Sequence, residues 1–179
     1  MTKKWICSVV LSGVVFSVTL GVDIDNSIWR GGGTSAKVSV TAEPNAMGDV
    51  AGFKLTAEPA PKKETFACAT YTFPAPVDFT NFKSIEFSVK TDHTVSIKVR
   101  VNCEGGYISV PWNSETVGNE FKKFTFGCAD MKTTDKPDLG KVTGIYVDFG
   151  TWHFDTDKEG FNVIVAGFKI TDTTDTPKN

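Results

Sequence analysis

Apolar and polar residues alternate along most of the chain. Between Ser84 and Thr91, and again between Thr94 and Cys103, every second residue is apolar. Because successive side chains of a β-strand point to opposite faces, this period predicts strands with one buried face and one exposed face. Nine runs are predicted to be strands: Ala36–Thr41, Gly52–Ala57, Thr65–Phe73, Ser84–Thr91, Thr94–Cys103, Tyr107–Trp112, Lys122–Cys128, Val142–Gly150 and Phe161–Thr171.

Segments rich in glycine, proline and aspartate separate these runs. Two examples are GGG at 31–33 and KTTDKPDLGK at 132–141, which are predicted to be turns. Gly105 and Gly106 are predicted to form the hairpin turn that reverses the chain after Cys103. About nine short strands spaced roughly ten residues apart predict an all-β sandwich or jelly roll.

The first 21 residues differ from the rest. Lys3 and Lys4 form a basic start, and Trp5 to Gly21 carries no charge. This pattern is typical of a secretory signal peptide. A membrane anchor and an additional strand of the domain are the two alternatives. The predicted organisation is a signal peptide or anchor at 1–21, a β-sandwich domain at 22–172 and a flexible tail at 173–179, in a protein that is secreted or held at the cell surface.

Composition narrows the class of partner. The chain has 179 residues and a net charge of −2, which suits one globular domain, and we expect a monomer. It lacks the runs of Lys and Arg that a phosphate backbone requires, so nucleic acid is not an expected partner. No obligate membrane partner is expected either.

Four cysteines are present, and Cys7 lies in the N-terminal segment. The odd number that remains predicts one disulfide and one free thiol in an oxidising compartment. If the strands from Thr65 onward alternate in direction, Cys103 and Cys128 lie at the same end of the sandwich, and this is the preferred pair. Pairing of either one with Cys68 is the alternative.

Four segments resemble jelly-roll carbohydrate-binding modules of the galactose-binding-like fold when taken in order. They are SIWRGGGTSAKVSV at 27–40, PVDFTNFKSIEFSVKTD at 76–92, DLGKVTGIYVDFG at 138–150 and GFNVIVAGFKIT at 160–171. The likeness extends over residues 28 to 171. It implies a jelly-roll β-sandwich of two antiparallel sheets that binds sugar, on one sheet face or at the loop tips, without catalysing a reaction.

The resemblance also bears on calcium. Many relatives carry an aspartate in the closing strand that helps to hold a structural calcium ion, and Gly167 stands at about that position here. Asp23, Asp25 and Asp49 are the remaining candidate oxygen ligands. No cofactor is therefore predicted, and a structural calcium ion stays an open alternative.

A sugar-binding surface needs flat aromatic rings beside hydrogen-bonding groups, because a pyranose has apolar C–H faces and a polar rim. Strands around 94–112 and 142–152 place suitable side chains on the face opposite the core if the strands are neighbours. The predicted carbohydrate-binding residues are Lys98, Arg100, Asn102, Tyr107, Tyr146, Asp148 and Trp152. The alternative is that these are scattered surface residues.

The remaining candidates are weaker. Trp29 and Trp112 are predicted to fill the core or its rim, since Trp112 lies in phase with the apolar residues of its run. The alternative for Trp112 is that a kink at Pro111 turns its ring outward. WHFDTD at 152–157 is interpreted as a solvent-exposed turn, and no metal site is predicted there. No nucleophile elbow or His-Glu-x-x-His motif is present, so the protein is not predicted to be an enzyme.

The predicted function is therefore recognition of a plant-type or microbial polysaccharide by a secreted binding module. A structural or adhesive surface jelly roll that makes protein contacts is the alternative. A polysaccharide lyase is the third candidate, with Arg100, Tyr107 and Tyr146 as a loose match to its machinery.

Overall fold

The computed structural model describes residues 24–25, 28–33, 37–59, 66–112, 118–150 and 160–172. The predicted signal peptide or anchor at 1–21, the WHFDTD segment with Trp152, and the tail at 173–179 lie outside these ranges. Within the described ranges, no helix is long and apolar enough to cross a membrane.

In the part of the chain that the structure describes, nine strands pair into two antiparallel sheets. They are β1 (Arg30–Gly33), β2 (Val38–Met47), β3 (Val50–Ala57), β4 (Phe66–Val77), β5 (Phe82–Thr91), β6 (Ser96–Ser109), β7 (Lys122–Gly127), β8 (Lys132–Gly150) and β9 (Phe161–Asp172). One sheet has the order β1-β4-β8-β6, and the other has the order β2-β3-β9-β5-β7. Every strand pair is antiparallel. The predicted sandwich of two antiparallel sheets is confirmed.

The core lies between the sheets and follows the period-two pattern. Val99, Val147 and Ala69 are directly opposite one another in neighbouring strands, and each is 0% exposed. Trp29, 2% exposed, closes the core beside the rings of Phe53 (4.6 Å between centroids) and Tyr71 (5.4 Å). Trp29 is therefore a core residue, as predicted. Burial of such large aromatic side chains supplies much of the stabilisation of the fold.

The chain reverses direction within β6. The backbone N–H of Val110 donates a hydrogen bond to the carbonyl of Val99 at 3.1 Å. Eleven residues of extended strand would separate these atoms by about 36 Å. Gly105, at φ 79°, lies midway and adopts a backbone conformation that favours glycine. The predicted hairpin turn at Gly105 and Gly106 is confirmed.

Two segments predicted to be turns are strands. Gly31 to Gly33 form β1, and residues 132–141 are the first part of β8, where Lys132 pairs with Ser109. In β1 the glycines serve close approach rather than reversal, because a Cβ on Gly33 would collide with the carbonyl of Phe66. A glycine-rich sequence is typical both of a turn and of two strands in close approach. Only the observed strand pairing distinguishes these two roles.

The predicted disulfide between Cys103 and Cys128 is wrong. Both are free thiols, as is Cys68. Cys103 belongs to β6 in the four-stranded sheet, whereas Cys128 follows β7 at the edge of the five-stranded sheet. Packed sheets lie about 10 Å apart, and a disulfide requires Cα atoms within about 7 Å. Shared orientation toward the core therefore does not bring the two sulfur atoms together.

Candidate functional site

The side of the four-stranded sheet that faces away from the core is called the outer face. Strand register aligns its residues in rows across the sheet. One row contains Lys98, Asp148 and Cys68, and the next contains Arg100, Tyr146, Thr70 and Arg30. The members of the outer face in β4, β6 and β8, apart from glycines, include Phe66, Cys68, Thr70, Thr72, Ser96, Lys98, Arg100, Asn102, Tyr146 and Asp148.

Local sequence determines which side chains reach the outer face. In SIKVRVN and GIYVDFG the apolar members alternate with polar ones, and the apolar members are 0% exposed. Because successive side chains alternate between faces, burial of the apolar members places the polar members on the outer face. The pairing of β6 with β8 then sets the functional groups of the two segments side by side.

An ion pair forms the centre of the outer face. Arg100 donates from Nε to Asp148 Oδ2 at 2.6 Å and from Nη2 to Oδ1 at 2.7 Å. The Asp148 side chain is 2% exposed and that of Arg100 is 25% exposed. Burial raises the pKa of Asp148, and the hydrogen bonds from Arg100 offset part of this rise. The bidentate geometry fixes the plane of the guanidinium.

The guanidinium also lies against an aromatic ring. Arg100 Cζ is 4.6 Å from the centroid of Tyr146. Burial alone would lower the pKa of Arg100, but the hydrogen bonds and the charge of Asp148, with smaller contributions from Cys68 and Tyr146, together raise it. Arg100 is thus held charged, with Asp148 on its edge and Tyr146 on its face.

Tyr107 reaches the outer face through the reversal in β6. Directly opposite residues of an antiparallel pair share a face, and counting from Val99 opposite Val110 puts Asn102 opposite Tyr107. Burial agrees with this register, because Ile108 is 3% exposed while Tyr107 is half-buried. Tyr107 therefore lies beside Asn102, one row from Arg100.

Trp112 is near the outer face and not in the core, which corresponds to the alternative of an outward turn at Pro111. It is half-buried, with its ring 6.2 Å from that of Phe66 and 5.8 Å from Lys98 Nζ. Both neighbours are members of the outer face. The alternation of the preceding strand does not continue through Pro111, which lacks a backbone N–H and ends the ladder. Trp112 is absent from the predicted site set, although Pro111 is the sequence signal for its outward position.

Among the described residues, two buried polar atoms on the outer face have no hydrogen-bond partner. They are Ser96 Oγ, in a residue that is 0% exposed, and Asn102 Oδ1. Buried polar groups in native proteins are nearly always paired, so each unpaired atom needs a reason. Along the strand, Ser96 and Asn102 lie on opposite sides of the Arg100–Asp148 pair.

Of the predicted site residues, the structure groups Lys98, Arg100, Asn102, Tyr107, Tyr146 and Asp148 on one face. Trp152 lies outside the described residues. Within the described ranges, no cluster of three or more His, Cys, Asp or Glu side chains is placed to hold a metal ion.

No model of a known protein family matches the chain, and no curated protein matches it. Several solved structures do. The family 11 carbohydrate-binding module of the cellulosomal cellulase Lic26A-Cel5E of Clostridium thermocellum is 13% identical, with a TM-score of 0.61, covering 90% of this chain and 97% of that one. The same family 11 module in complex with a β-1,3-1,4-mixed-linked tetrasaccharide is 13% identical, with a TM-score of 0.60, covering 83% and 94%.

A third match is the CBM22-1 xylan-binding domain of Paenibacillus barcinonensis Xyn10C. It is 15% identical, with a TM-score of 0.52, and the match covers 80% of this chain and 85% of that one. Sequence identities this low indicate that the fold is shared, and they do not indicate which ligand is bound. The resemblance noted in the four sequence segments is confirmed at that level: this chain has the jelly-roll β-sandwich fold of carbohydrate-binding modules.

Proposed function

We propose that this protein is a non-catalytic carbohydrate-binding module, secreted or held at the cell surface, that takes a polysaccharide on its outer face. The observation that carries the proposal is that the outer face groups a fixed guanidinium with aromatic residues on either side of it along the sheet. Arg100 is held by Asp148 and lies on Tyr146, with Trp112 beyond Lys98 and Tyr107 beside Asn102.

The chemistry of this grouping suits a sugar. Trp112 and Tyr107 are half-buried rings that can cover the C–H face of a pyranose. Arg100 can donate to neighbouring hydroxyls from the N–H groups that Asp148 leaves unused. Asp148 is too buried for direct contact, so we assign it as a positioning residue that acts through Arg100.

Affinity electrophoresis against a panel of soluble polysaccharides tests the proposal. We expect at least one polymer to retard the protein. Trp112→Ala should weaken binding by about 1 kcal/mol, roughly fivefold in Kd, and Tyr107→Ala should act similarly. Phe121→Ala is the matched control, because Phe121 is a half-buried ring beside Lys90 in the five-stranded sheet. Absence of retardation across the panel, or an equal loss in the control, would exclude the outer face as the site.

The other two candidate functions gain no support. An adhesive surface needs a contiguous apolar patch, and Val50 is the exposed large hydrophobic residue in the described ranges. The lyase interpretation relied on Arg100 to neutralise a substrate carboxylate, and Arg100 is already committed to Asp148.

A further inference from the structure

The outer face carries more positive than negative charge. Among Arg30 and the members named above, the cations are Arg30, Lys98 and Arg100, and the carboxylate is Asp148. Glu104 of β6 and Asp138 of β8 lie opposite each other farther along the sheet, where both are within 3.9 Å of Lys141 Nζ. Arg100 and Asp148 neutralise each other at 2.6 Å. Lys98 lies opposite Asp148 and also acts on its charge, but these three cations still outnumber that one carboxylate, on a chain whose net charge is −2.

A third cation borders the same face. Lys132 is exposed and pairs with Ser109, which the register of the β6 reversal places opposite Arg100. The three cations lie in β1, β6 and the first part of β8, so positive charge spans the width of the sheet. A ligand that crosses these strands meets a cation on each side of the sheet and at β6 between them.

Lys98 is the cation best placed to read a ligand. Its ammonium is 5.8 Å from the ring of Trp112, and the side chain is half-buried, which reduces screening of its charge by salt. A ring beside an ammonium offers two matched contacts to one acidic sugar. The ring covers the C–H face, and the ammonium pairs with the carboxylate or sulfate on the rim.

We propose that the polysaccharide taken by the outer face is anionic, with carboxylate or sulfate groups that pair with Lys98 and its neighbouring cations. This inference rests on the proposed sugar-binding function and names the class of its ligand. It accounts for a cationic face on an acidic chain, and for the placement of a lysine directly beside an aromatic ring.

The opposite side of the sandwich provides a matched control. Lys54 in β3 is also half-buried and faces away from the core, opposite Ile164 of β9. Lys54→Met removes the same charge as Lys98→Met from the same protein. If charge anywhere on the surface were enough to attract an anionic polymer, the two substitutions would weaken binding equally.

The experiment uses two pairs of polymers that share a backbone and differ in charge. One pair is polygalacturonate and its methyl ester, and the other is dextran sulfate and dextran. We expect an anionic member to bind the full chain at least about fivefold more tightly than its neutral partner, with weaker binding as salt rises from 0.1 M to 1 M. Lys98→Met should remove most of this preference, and Lys54→Met should leave it intact.

The pair that shows the preference identifies the group as carboxylate or sulfate. Equal binding of charged and neutral partners, or equal effects of Lys98→Met and Lys54→Met, would overturn the inference while leaving the sugar-binding function standing. If no polysaccharide in these pairs or in the wider panel binds, both the function and the inference fail.

Discussion

Replacement of Arg100 by methionine gives the sharpest test of how the outer face is built. Methionine keeps much of the aliphatic length of arginine but removes the guanidinium. Asp148, 2% exposed, would lose two hydrogen bonds of 2.6 and 2.7 Å together with its counter-charge. Breaking a buried ion pair from one side costs about 3–5 kcal/mol, and we expect about 3 kcal/mol because the Arg100 side chain is 25% exposed.

The loss should depend on pH in a defined direction. Burial already raises the pKa of Asp148, and the guanidinium that partly lowers it is gone in Arg100→Met. The folded variant therefore binds a proton more tightly than the unfolded chain does. Its stability relative to the parent should increase as pH falls from neutral toward the ordinary range of an aspartate, because a protonated Asp148 needs no counter-charge.

Urea unfolding followed by tryptophan fluorescence at pH 7 and pH 5 measures both effects. The double variant R100M/D148N should recover much of the loss at pH 7, since it removes the buried charge. Lys141→Met breaks the exposed pair with Glu104 and should leave the midpoint unchanged. A loss for Arg100→Met below about 1 kcal/mol, or one that is the same at both pH values, would refute the reasoning.

Three further predictions concern other parts of the sandwich. Burial raises the pKa of Asp92, but hydrogen bonds from Asn162 N at 2.7 Å and Nδ2 at 2.6 Å outweigh this and lower it. In thermal melts, Asp92→Asn should therefore be less stable than the parent at pH 6, with the difference disappearing as pH falls through the lowered pKa; a constant difference would contradict this. Gly105→Ala should lower the free energy of unfolding in urea by about 1–2 kcal/mol, because φ is 79° and a Cβ would lie 2.8 Å from the Lys136 carbonyl oxygen. Gly118→Ala is the control and should leave the free energy of unfolding unchanged, because no described atom lies within 4 Å of the added Cβ. Burial raises the pKa of the Cys68 thiol, so alkylation at pH 8 followed by mass spectrometry should label it slowly in the folded protein and fully after unfolding without reductant; resistance after unfolding would indicate a disulfide.

Period-two alternation was sufficient to predict the class of fold and the face of most site residues. Lys98 and Arg100 alternate with apolar residues that are 0% exposed, so their outward direction follows from four or five neighbours in sequence. The hairpin turn at Gly105 is equally local, since glycine is the residue that adopts a positive φ without strain. These are short-range consequences of backbone geometry and of the burial of apolar surface.

Partnerships between distant residues required the tertiary structure. Arg100 and Asp148 are 48 residues apart, and only the register of β6 against β8 makes them a bidentate pair. Cys103 and Cys128 share an orientation toward the core, yet they belong to different sheets and remain free thiols. Alternation specifies which way a side chain points within its own strand. Long-range pairing and sheet packing decide which strand lies beside it. Only the folded chain therefore determined the contacts of the outer face.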